Sequence, residues 1–396
     1  MSSKLILLFI LGVDTLILIF QTTHLSISAA EASLIYGNFS FFQLLIKTSL
    51  FIFGHNDFGL RFSMILFHLL SAILIYLVSK KYIASERNRL WLVLIFILLP
   101  GVVSSAIVVN SAGMIIFGLL LYIYLHEKIS VILLNTLLLF YASIDIGFSY
   151  LFLGLAVFYI LNKKYQLFLY MMILYILNSI LYGFEVYGSP SGHFLDTIGV
   201  YSAIFSPIIF IYIFYILYRR YLIANIDMIW YISTTALLLS LVLSFRQRVA
   251  VEHFAPYLIL ALPLAAESFI SSYRVRLKVY RTKYRLAFII SFAFLLINTL
   301  AIFFNKELYL LIENPKKHFT YDMDVAKDLA TILKRRDILC ITTNVNMQKR
   351  LYFYGIRKCE RYLLKELPLN SDISSDVTIS YKNSILYKAN VTKINN

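Results

Sequence analysis

Long apolar stretches separated by short clusters of charged residues fill the first 304 positions of the chain. A helix needs about 20 mostly apolar residues to cross roughly 30 Å of hydrocarbon. Stretches of this kind, bounded by charges or turn residues, predict eleven membrane-spanning helices near residues 4–20, 60–79, 90–109, 111–126, 129–146, 148–162, 166–184, 198–217, 228–244, 254–271 and 286–304. The three between 90 and 146 could also be kinked or partly re-entrant, because Pro100, Gly101 and Asn110 interrupt them.

The pattern changes after position 304, where polar and apolar residues mix as in a water-soluble domain. The segment 322–336 places Val325, Leu329, Ile332 and Leu333 on one side and predicts an amphipathic helix. Short β-like runs predict strands at 338–342, 350–354, 377–381 and 384–387, with a hairpin turn at 382–383. We therefore expect two domains, a membrane domain over 1–304 and a small α/β domain over 305–396.

Composition supports this division and narrows the class of protein. Hydrophobic residues make up 60% of the chain and charged residues only 14%, whereas soluble domains average about 45–50% apolar and about 25% charged residues. A soluble enzyme is therefore excluded, and the many aromatic residues exclude a disordered chain. The predicted fold class is an all-α polytopic membrane protein, with about eleven transmembrane helices and a small α/β outer C-terminal domain.

The net charge of +15 has to be interpreted through the positions of the charges. With a cytoplasmic N-terminus, 16 of the 20 Lys and Arg residues before position 305 fall in cytoplasmic loops, as the positive-inside rule requires. The basic balance then reflects topology and contact with anionic membrane lipids, and no nucleic-acid partner is expected. We predict a multi-pass protein of the inner (plasma) membrane with its C-terminal domain outside the cytoplasm.

Candidate chemistry concentrates in three predicted outer loops. The loop 21–59 contains Glu31, Asp57 and a Phe-rich stretch over 39–53 that suggests a helix lying in the membrane interface. The loop 185–197 is rich in Gly, Pro and polar residues, and the loop 245–256 combines cations with one carboxylate. The candidate residues in this last loop are Arg246, Arg248, Glu252 and His253.

These residue types together suit transfer from a lipid-linked phosphate donor. A carboxylate near the membrane surface can act as a general base, and guanidinium groups in a partly dry site can hold a phosphate. The leaving phosphate departs as an anion, so a second carboxylic acid is unnecessary. The chain shows no Gly-rich phosphate loop. The seven histidines show no metal-ligand spacing, so no cofactor is predicted, although a divalent cation remains an alternative.

The N-terminal half also resembles a known family. The residues that carry the resemblance are the motif Ala-Glu-Ala-Ser-Leu-Ile-Tyr at 30–36, the stretch Phe-Gly-His-Asn-Asp-Phe-Gly-Leu-Arg-Phe at 53–62, and the helix end at 77–82. They are similar to the protein O-mannosyltransferase and aminoarabinose-transferase group of C-type membrane glycosyltransferases. The likeness covers about residues 1–130 and, more weakly, the later helices with the loop 246–256. Two positions depart from the family, because Ala30 and Asn110 stand where many members carry Asp.

The resemblance implies that Glu31 activates an acceptor hydroxyl and that the donor is a polyprenyl-phosphate sugar. Arg246 and Arg248 would stabilise the departing phosphate, and Asp57, Arg61, Glu252 and His253 would help to bind substrate. The predicted function is an integral membrane glycosyltransferase acting on a lipid, glycan or protein acceptor at the outer leaflet. The alternative is a non-catalytic membrane protein, such as a lipid-linked glycan transporter or a partner subunit.

Each candidate also has a structural interpretation. Glu31 could be an ordinary solvated carboxylate, and Asp57 with Arg61 four residues later could form an ion pair or a helix cap. Arg246 and Arg248 could anchor a helix end at the lipid headgroups.

Three further predictions concern residues outside the candidate site. We expect Asp14 to pair inside the helix bundle and Asp145 to lie in an outer hairpin. Cys340 and Cys359 could form a disulfide or remain free, with Cys340 in the core.

Overall fold

The computed structural model describes residues 2–37, 39–183, 192–310, 312, 314–369, 375–382 and 384–394. Its helices are α1 Ser3–His24, α2 Ala29–Tyr36, α3 Phe41–Phe53, α4 Asp57–Val78, α5 Glu86–Ile97, α6 Pro100–Ile107, α7 Ala112–Leu125, α8 Val131–Ala142, α9 Ser149–Leu161, α10 Tyr165–Tyr182, α11 Phe194–Phe205, α12 Pro207–Leu222, α13 Met228–Ser244, α14 Val251–Ile259, α15 Leu262–Val275, α16 Lys278–Phe303, α17 Ala326–Arg335 and α18 Val345–Phe353. The strands are β1 Tyr362–Glu366, β2 Val377–Tyr381 and β3 Ser384–Lys393.

A mainly helical membrane fold is confirmed, but the count of eleven spans is not. Within the described residues, five helices are long and apolar enough to cross a membrane, or seven if each of two bent helix pairs is one span. The remaining four predicted spans coincide with apolar helices of 10–17 residues over 112–125, 131–142, 146–161 and 228–244. Every predicted span therefore coincides with a helix or a bent helix pair. The structure gives fewer spans than the predicted eleven because four of these helices are too short to meet the length required for crossing.

The two bent pairs have a common chemical cause. α5 and α6 meet at 61° just before Pro100, and α11 and α12 meet at 106° just before Pro207. Proline lacks the N–H that a helix interior needs and disfavours a helical conformation of the residue before it. Ser206, the residue before Pro207, lies outside the helical region with φ 66°. The predicted span over 198–217 therefore corresponds to a bent helix pair, and the alternative of a kinked segment at Pro100 is confirmed.

The chain divides into two compact units. The first contains residues 1–16 and 64–299, and the second contains residues 17–63 and 300–396. The C-terminal segment of the second unit starts at residue 300, whereas the sequence analysis placed the domain boundary at 304–305. The second unit also contains residues 17–63, which the sequence analysis assigned to the membrane domain. In the first unit, His68 Nε2 lies 2.8 Å from Asp14 Oδ2, so the predicted pairing of Asp14 with a buried partner is confirmed.

The C-terminal part of the second unit is a small three-stranded antiparallel sheet with two helices. The strand order is β1-β3-β2, with Tyr362 opposite Lys393 and Val377 opposite Ala389. β2 has the predicted bounds, β3 continues beyond the predicted run, and the sequence analysis missed β1. Of the predicted turn, Asn383 lies outside the described residues.

The prediction of a strand over 350–354 is wrong, because those residues lie in or directly after α18. Asn344 caps this helix by accepting the Met347 N–H at 2.8 Å. Met347 and Leu351, one turn apart, are buried in the core of the unit. Of the predicted 322–336 helix, α17 covers 326–335 and buries Leu329 and Leu333. Cys340 and Cys359 form a disulfide, which is the first of the two alternatives.

Candidate functional site

Glu31 is part of the helix that begins the first predicted outer loop. Ser28 is the N-cap of α2, and its hydroxyl accepts the Glu31 N–H at 3.1 Å while Glu31 Oε2 accepts the Ser28 N–H at 2.8 Å. This reciprocal capping box satisfies two backbone donors at the start of a short helix. The Glu31 side chain is fully buried, so its carboxylate is committed to local structure in this conformation.

Arg61, on the first turns of α4, completes the enclosure of Glu31. Its Nη2 lies 3.0 Å from Glu31 Oε2, and both side chains have no exposed surface. The same guanidinium donates to the carbonyl oxygens of Leu25 and Ser26 at 2.9 Å and of Thr22 at 3.3 Å. These carbonyls lie at and just beyond the C-terminal end of α1, where a helix leaves acceptors without internal partners. Arg61 therefore ties α1, the loop after it and α2 to α4.

Asp57 does not pair with Arg61, although the two are four residues apart on one helix. Its Oδ2 accepts from Lys327 Nζ at 2.6 Å, and its Oδ1 accepts from the Tyr354 hydroxyl at 2.7 Å. Asp57 is 5% exposed. Both partners come from the C-terminal part of the same unit, so Asp57 links α4 to α17 and to the residue after α18.

The backbone of the first loop is held by the same C-terminal part. Ser26 N–H donates to the Met323 carbonyl at 2.8 Å, and Ile27 N–H donates to the Tyr354 hydroxyl at 2.9 Å. Arg350 Nε donates to the Ile27 carbonyl at 3.0 Å. We call Glu31, Arg61, Asp57, Lys327 and Tyr354 the loop anchor. Its buried charges are paired, and such pairs serve geometry more readily than ligand binding.

A second group of candidate residues lines a cavity in the first unit. The cavity has a volume of about 250 Å³ and lies among the starts of α9 and α14 and the ends of α10 and α13. Its polar lining includes Gln247, Arg248 and His253, with Ser149 and Ser179. Its aromatic and apolar lining consists of Ile146, Tyr150, Tyr175, Leu239, Leu243, Val249, Ala250 and Phe254, with Gly183 at the end of α10.

The four residues predicted from the loop 245–256 divide into two pairs. Arg248 and His253 line the cavity, whereas Arg246 and Glu252 are exposed and do not line it. His253 lies in the first turn of α14, which begins at Val251, and Arg248 lies in the loop before this helix. The loop therefore delivers one guanidinium and one imidazole to the same cavity.

The sequence analysis missed Asp145 as a member of this group. Asp145 caps the short helical turn before α9, and its Oδ1 accepts the Gly147 N–H at 2.7 Å. Burial raises the pKa of the Asp145 carboxyl, while the nearby His253 lowers it. The next residue, Ile146, lines the cavity. The sequence did contain an indication of this role, because Asp145 lies at the edge of an apolar span. Burying a carboxylate there is energetically unfavourable unless it has a partner.

Two other expectations concern the remaining loop and metal binding. Residues 185–191 of the loop 185–197 lie outside the described residues, and beyond them His193 Nδ1 lies 3.2 Å from Asp196 Oδ2. Among the described residues, no group of three or more His, Cys, Asp or Glu side chains is placed to hold a metal ion.

Comparison with solved structures identifies the fold. Neither a protein-family model nor a curated protein matches the chain. ArnT from Cupriavidus metallidurans in the apo state superposes with a TM-score of 0.54 at 13% identity, covering 90% of this chain and 75% of that one. ArnT bound to undecaprenyl phosphate gives a TM-score of 0.52 at 12% identity, covering 90% and 76%. The likeness to an aminoarabinose-transferase that the sequence suggested is thus confirmed as a likeness of fold.

Proposed function

We propose that this protein is an integral membrane glycosyltransferase that moves a sugar from a polyprenyl-phosphate donor to a lipid, glycan or protein acceptor. The observation that carries the proposal is the cavity of the first unit, where Arg248 and His253 converge within an apolar and aromatic lining. The likeness of fold to a protein whose structure holds undecaprenyl phosphate supports the same class of donor. Active sites of this kind combine a mostly apolar lining with a few convergent polar groups.

Arg248 is proposed to bind the donor phosphate. A guanidinium presents a fork of N–H donors that matches phosphate oxygens and keeps its charge at any physiological pH. As the bond from the anomeric carbon to the phosphate oxygen breaks, negative charge grows on that oxygen, and a preorganised cation stabilises it. The partly aromatic wall, with Tyr150 and Tyr175, suits the apolar faces of a sugar and the first isoprene units.

His253 is proposed to take the proton of the acceptor hydroxyl, with Asp145 as its positioning residue. A base has to reach the substrate, and His253 lines the cavity, whereas Asp145 does not line it and acts on His253 through its charge. A neighbouring carboxylate orients an imidazole and stabilises its protonated form. The acceptor oxygen then bonds to the anomeric carbon as the phosphate leaves, and the imidazolium retains the proton until release.

The catalytic role that the family resemblance gives to Glu31 stays a prediction. Its carboxylate is fully buried and engaged with Ser28 and Arg61, and this enclosure favours an anchoring role for the first loop. The predicted location in the inner membrane and action at the outer leaflet also remain proposals. They rest on the apolar helices and on the distribution of Lys and Arg along the chain.

The direct test is transfer of labelled sugar from polyprenyl-phosphate donors to membrane acceptors by the purified, reconstituted chain. Transfer that Arg248→Gln and His253→Gln abolish, at unchanged thermal midpoint, supports the assignment. Transfer that both variants perform at the wild-type rate overturns the proposed site. If the wild type binds undecaprenyl phosphate but transfers no sugar from a broad panel of donors, the non-catalytic alternative is favoured instead.

A further inference from the structure

The connection between α15 and α16 carries a concentration of positive charge that the proposed function does not use. Between residues 268 and 305 the chain contains no Asp or Glu. The same segment contains six basic residues, namely Arg274, Arg276, Lys278, Arg281, Lys283 and Arg285. We call these six residues the basic hairpin.

Three of the six cations stiffen the hairpin itself. Arg281 donates to the carbonyl oxygens of Arg276 and Arg274 at 2.9 and 3.0 Å, which are acceptors left open at the end of α15. Arg276 lies over the Tyr284 ring at 4.4 Å from its centroid, and Arg285 donates to the Tyr273 hydroxyl at 3.1 Å. The hairpin is therefore ordered by contacts among its own residues.

Arg274, Lys278 and Lys283 are left to bind something else. All three side chains are exposed, and within the described part of the chain none of them forms a salt bridge. Three apolar residues interleave with the cations and are also exposed, with Val275 at 87%, Leu277 at 72% and Val279 at 78%. Large aliphatic side chains exposed to this degree in one short segment indicate a surface that another apolar phase covers.

We propose that the basic hairpin is a binding site for anionic phospholipid headgroups, with Val275, Leu277 and Val279 inserted between the acyl chains. The charge is complementary to phosphate-bearing lipids, and each basic residue near an anionic membrane surface contributes about a fivefold gain in binding. Alternation of cations with aliphatic residues is the pattern that places charge at the headgroups and apolar atoms just below them. The site is separate from the cavity and does not depend on the proposed transfer reaction.

Native mass spectrometry of the full chain tests the lipid preference. The detergent-purified protein is given equal amounts of phosphatidylglycerol and phosphatidylcholine, and the bound lipids are counted. The triple variant Arg274→Gln, Lys278→Gln, Lys283→Gln removes the three cations that take no part in the contacts within the hairpin, and we expect the preference for phosphatidylglycerol to fall on the order of 100-fold. The matched control is Lys80→Gln, Arg87→Gln, Lys164→Gln, which removes three exposed cations elsewhere and should retain most of the preference.

Three results would overturn the proposal. One is an unchanged lipid preference in the first triple variant, and another is an equal loss in both. The third is complete displacement of the bound phosphatidylglycerol by millimolar inorganic phosphate, which would make the basic hairpin a site for free anions.

Insertion is tested separately with Leu277→Trp, because the chain has only two other tryptophans. Bilayer lipids brominated on their acyl chains should quench the added fluorescence, and an unquenched signal would exclude insertion.

Discussion

The loop anchor of the second unit and the cavity of the first unit use the same residue types in opposite ways. The Arg61 side chain has no exposed surface, and its guanidinium binds Glu31 and three carbonyl oxygens. The Arg248 side chain, in contrast, is exposed and lines the cavity. A buried charge with all its partners inside the protein builds structure, because any ligand would have to displace those partners. An exposed charge at a concave, partly apolar surface still has donors to offer. This difference indicates a structural role for the loop anchor and supports the proposed binding role of the cavity residues.

The largest effect is expected at the loop anchor. Arg61→Met removes the buried ion pair with Glu31 and the hydrogen bonds to three carbonyl oxygens, so the free energy of unfolding should fall by about 3–5 kcal/mol. The measurement is chemical unfolding of the full chain in one detergent. The double variant Arg61→Met, Glu31→Gln should recover part of the loss, because a neutral amide costs less to bury than a carboxylate that has lost its guanidinium. A loss below about 1 kcal/mol in the single variant would contradict the comparison.

The next effect concerns donor binding at the cavity. Arg248→Gln removes a charge-assisted contact worth about 1.5–3 kcal/mol, so the affinity for undecaprenyl phosphate should fall by roughly 10- to 100-fold. Arg246→Gln is the matched control, since Arg246 is exposed two residues away and does not line the cavity. Titration calorimetry on both variants measures the difference. Equal losses in the two variants would mean that the loop binds phosphate by diffuse charge and not through the cavity.

A smaller effect is expected from the carboxylate behind the cavity. Asp145→Asn keeps the oxygen that accepts the Gly147 N–H and removes the charge next to His253, so turnover should fall at least about tenfold at unchanged donor affinity. The profile of turnover against pH should also change, because the Asp145 carboxyl, whose pKa burial raises, no longer titrates. Single-turnover rates at several pH values provide the measurement. A variant with the wild-type profile would show that Asp145 is only a helix cap.

The smallest effect is a pH dependence of the second unit. Burial lowers the pKa of His318 below its ordinary value of 6.5, and its Nδ1 accepts the Thr320 N–H at 3.2 Å. Because the folded pKa lies below the unfolded one, stability is full above pH 6.5 and is lost as the pH falls through the folded pKa. The slope is at most about 1.4 kcal/mol per pH unit. Unfolding of the wild type and His318→Asn between pH 5 and 8 measures it, and parallel curves would refute the assignment.

Much of the membrane fold could be predicted from sequence, because the cost of apolar surface in water acts on every residue of a long stretch. All eleven predicted spans coincide with helices or bent helix pairs, and β2 has its predicted bounds. The errors arose where a local signal competes with the overall pattern. The run 350–354 alternates like a strand, but Asn344 caps a helix that includes most of it. At Pro207 the chain bends between two helices, whereas hydrophobicity alone predicted a single segment there.

The candidate site was harder to predict, because the identity of a charged residue does not show whether its side chain is buried or which residue it pairs with. Asp57 and Arg61 are spaced for an ion pair on one helix, yet each has a partner distant in sequence: Asp57 binds Lys327, and Arg61 binds Glu31. The first pairing depends on a residue from the C-terminal part of the second unit, and the second on a residue 30 positions earlier in the chain, so neither follows from local spacing. The association of Asp145 with His253 was missed for the same reason, since His253 is more than 100 positions away in the chain.

The most direct test of this account is the rate of sugar transfer by Glu31→Gln and Arg248→Gln, measured side by side at matched expression and after confirming equal thermal midpoints. Glutamine at position 31 keeps an oxygen that can accept from Ser28 and Arg61, so the account predicts transfer within a few-fold of the wild type. Arg248→Gln should lose nearly all transfer. The opposite result, with Glu31→Gln inactive and Arg248→Gln active, would make Glu31 the base and contradict the assignment of binding to the cavity.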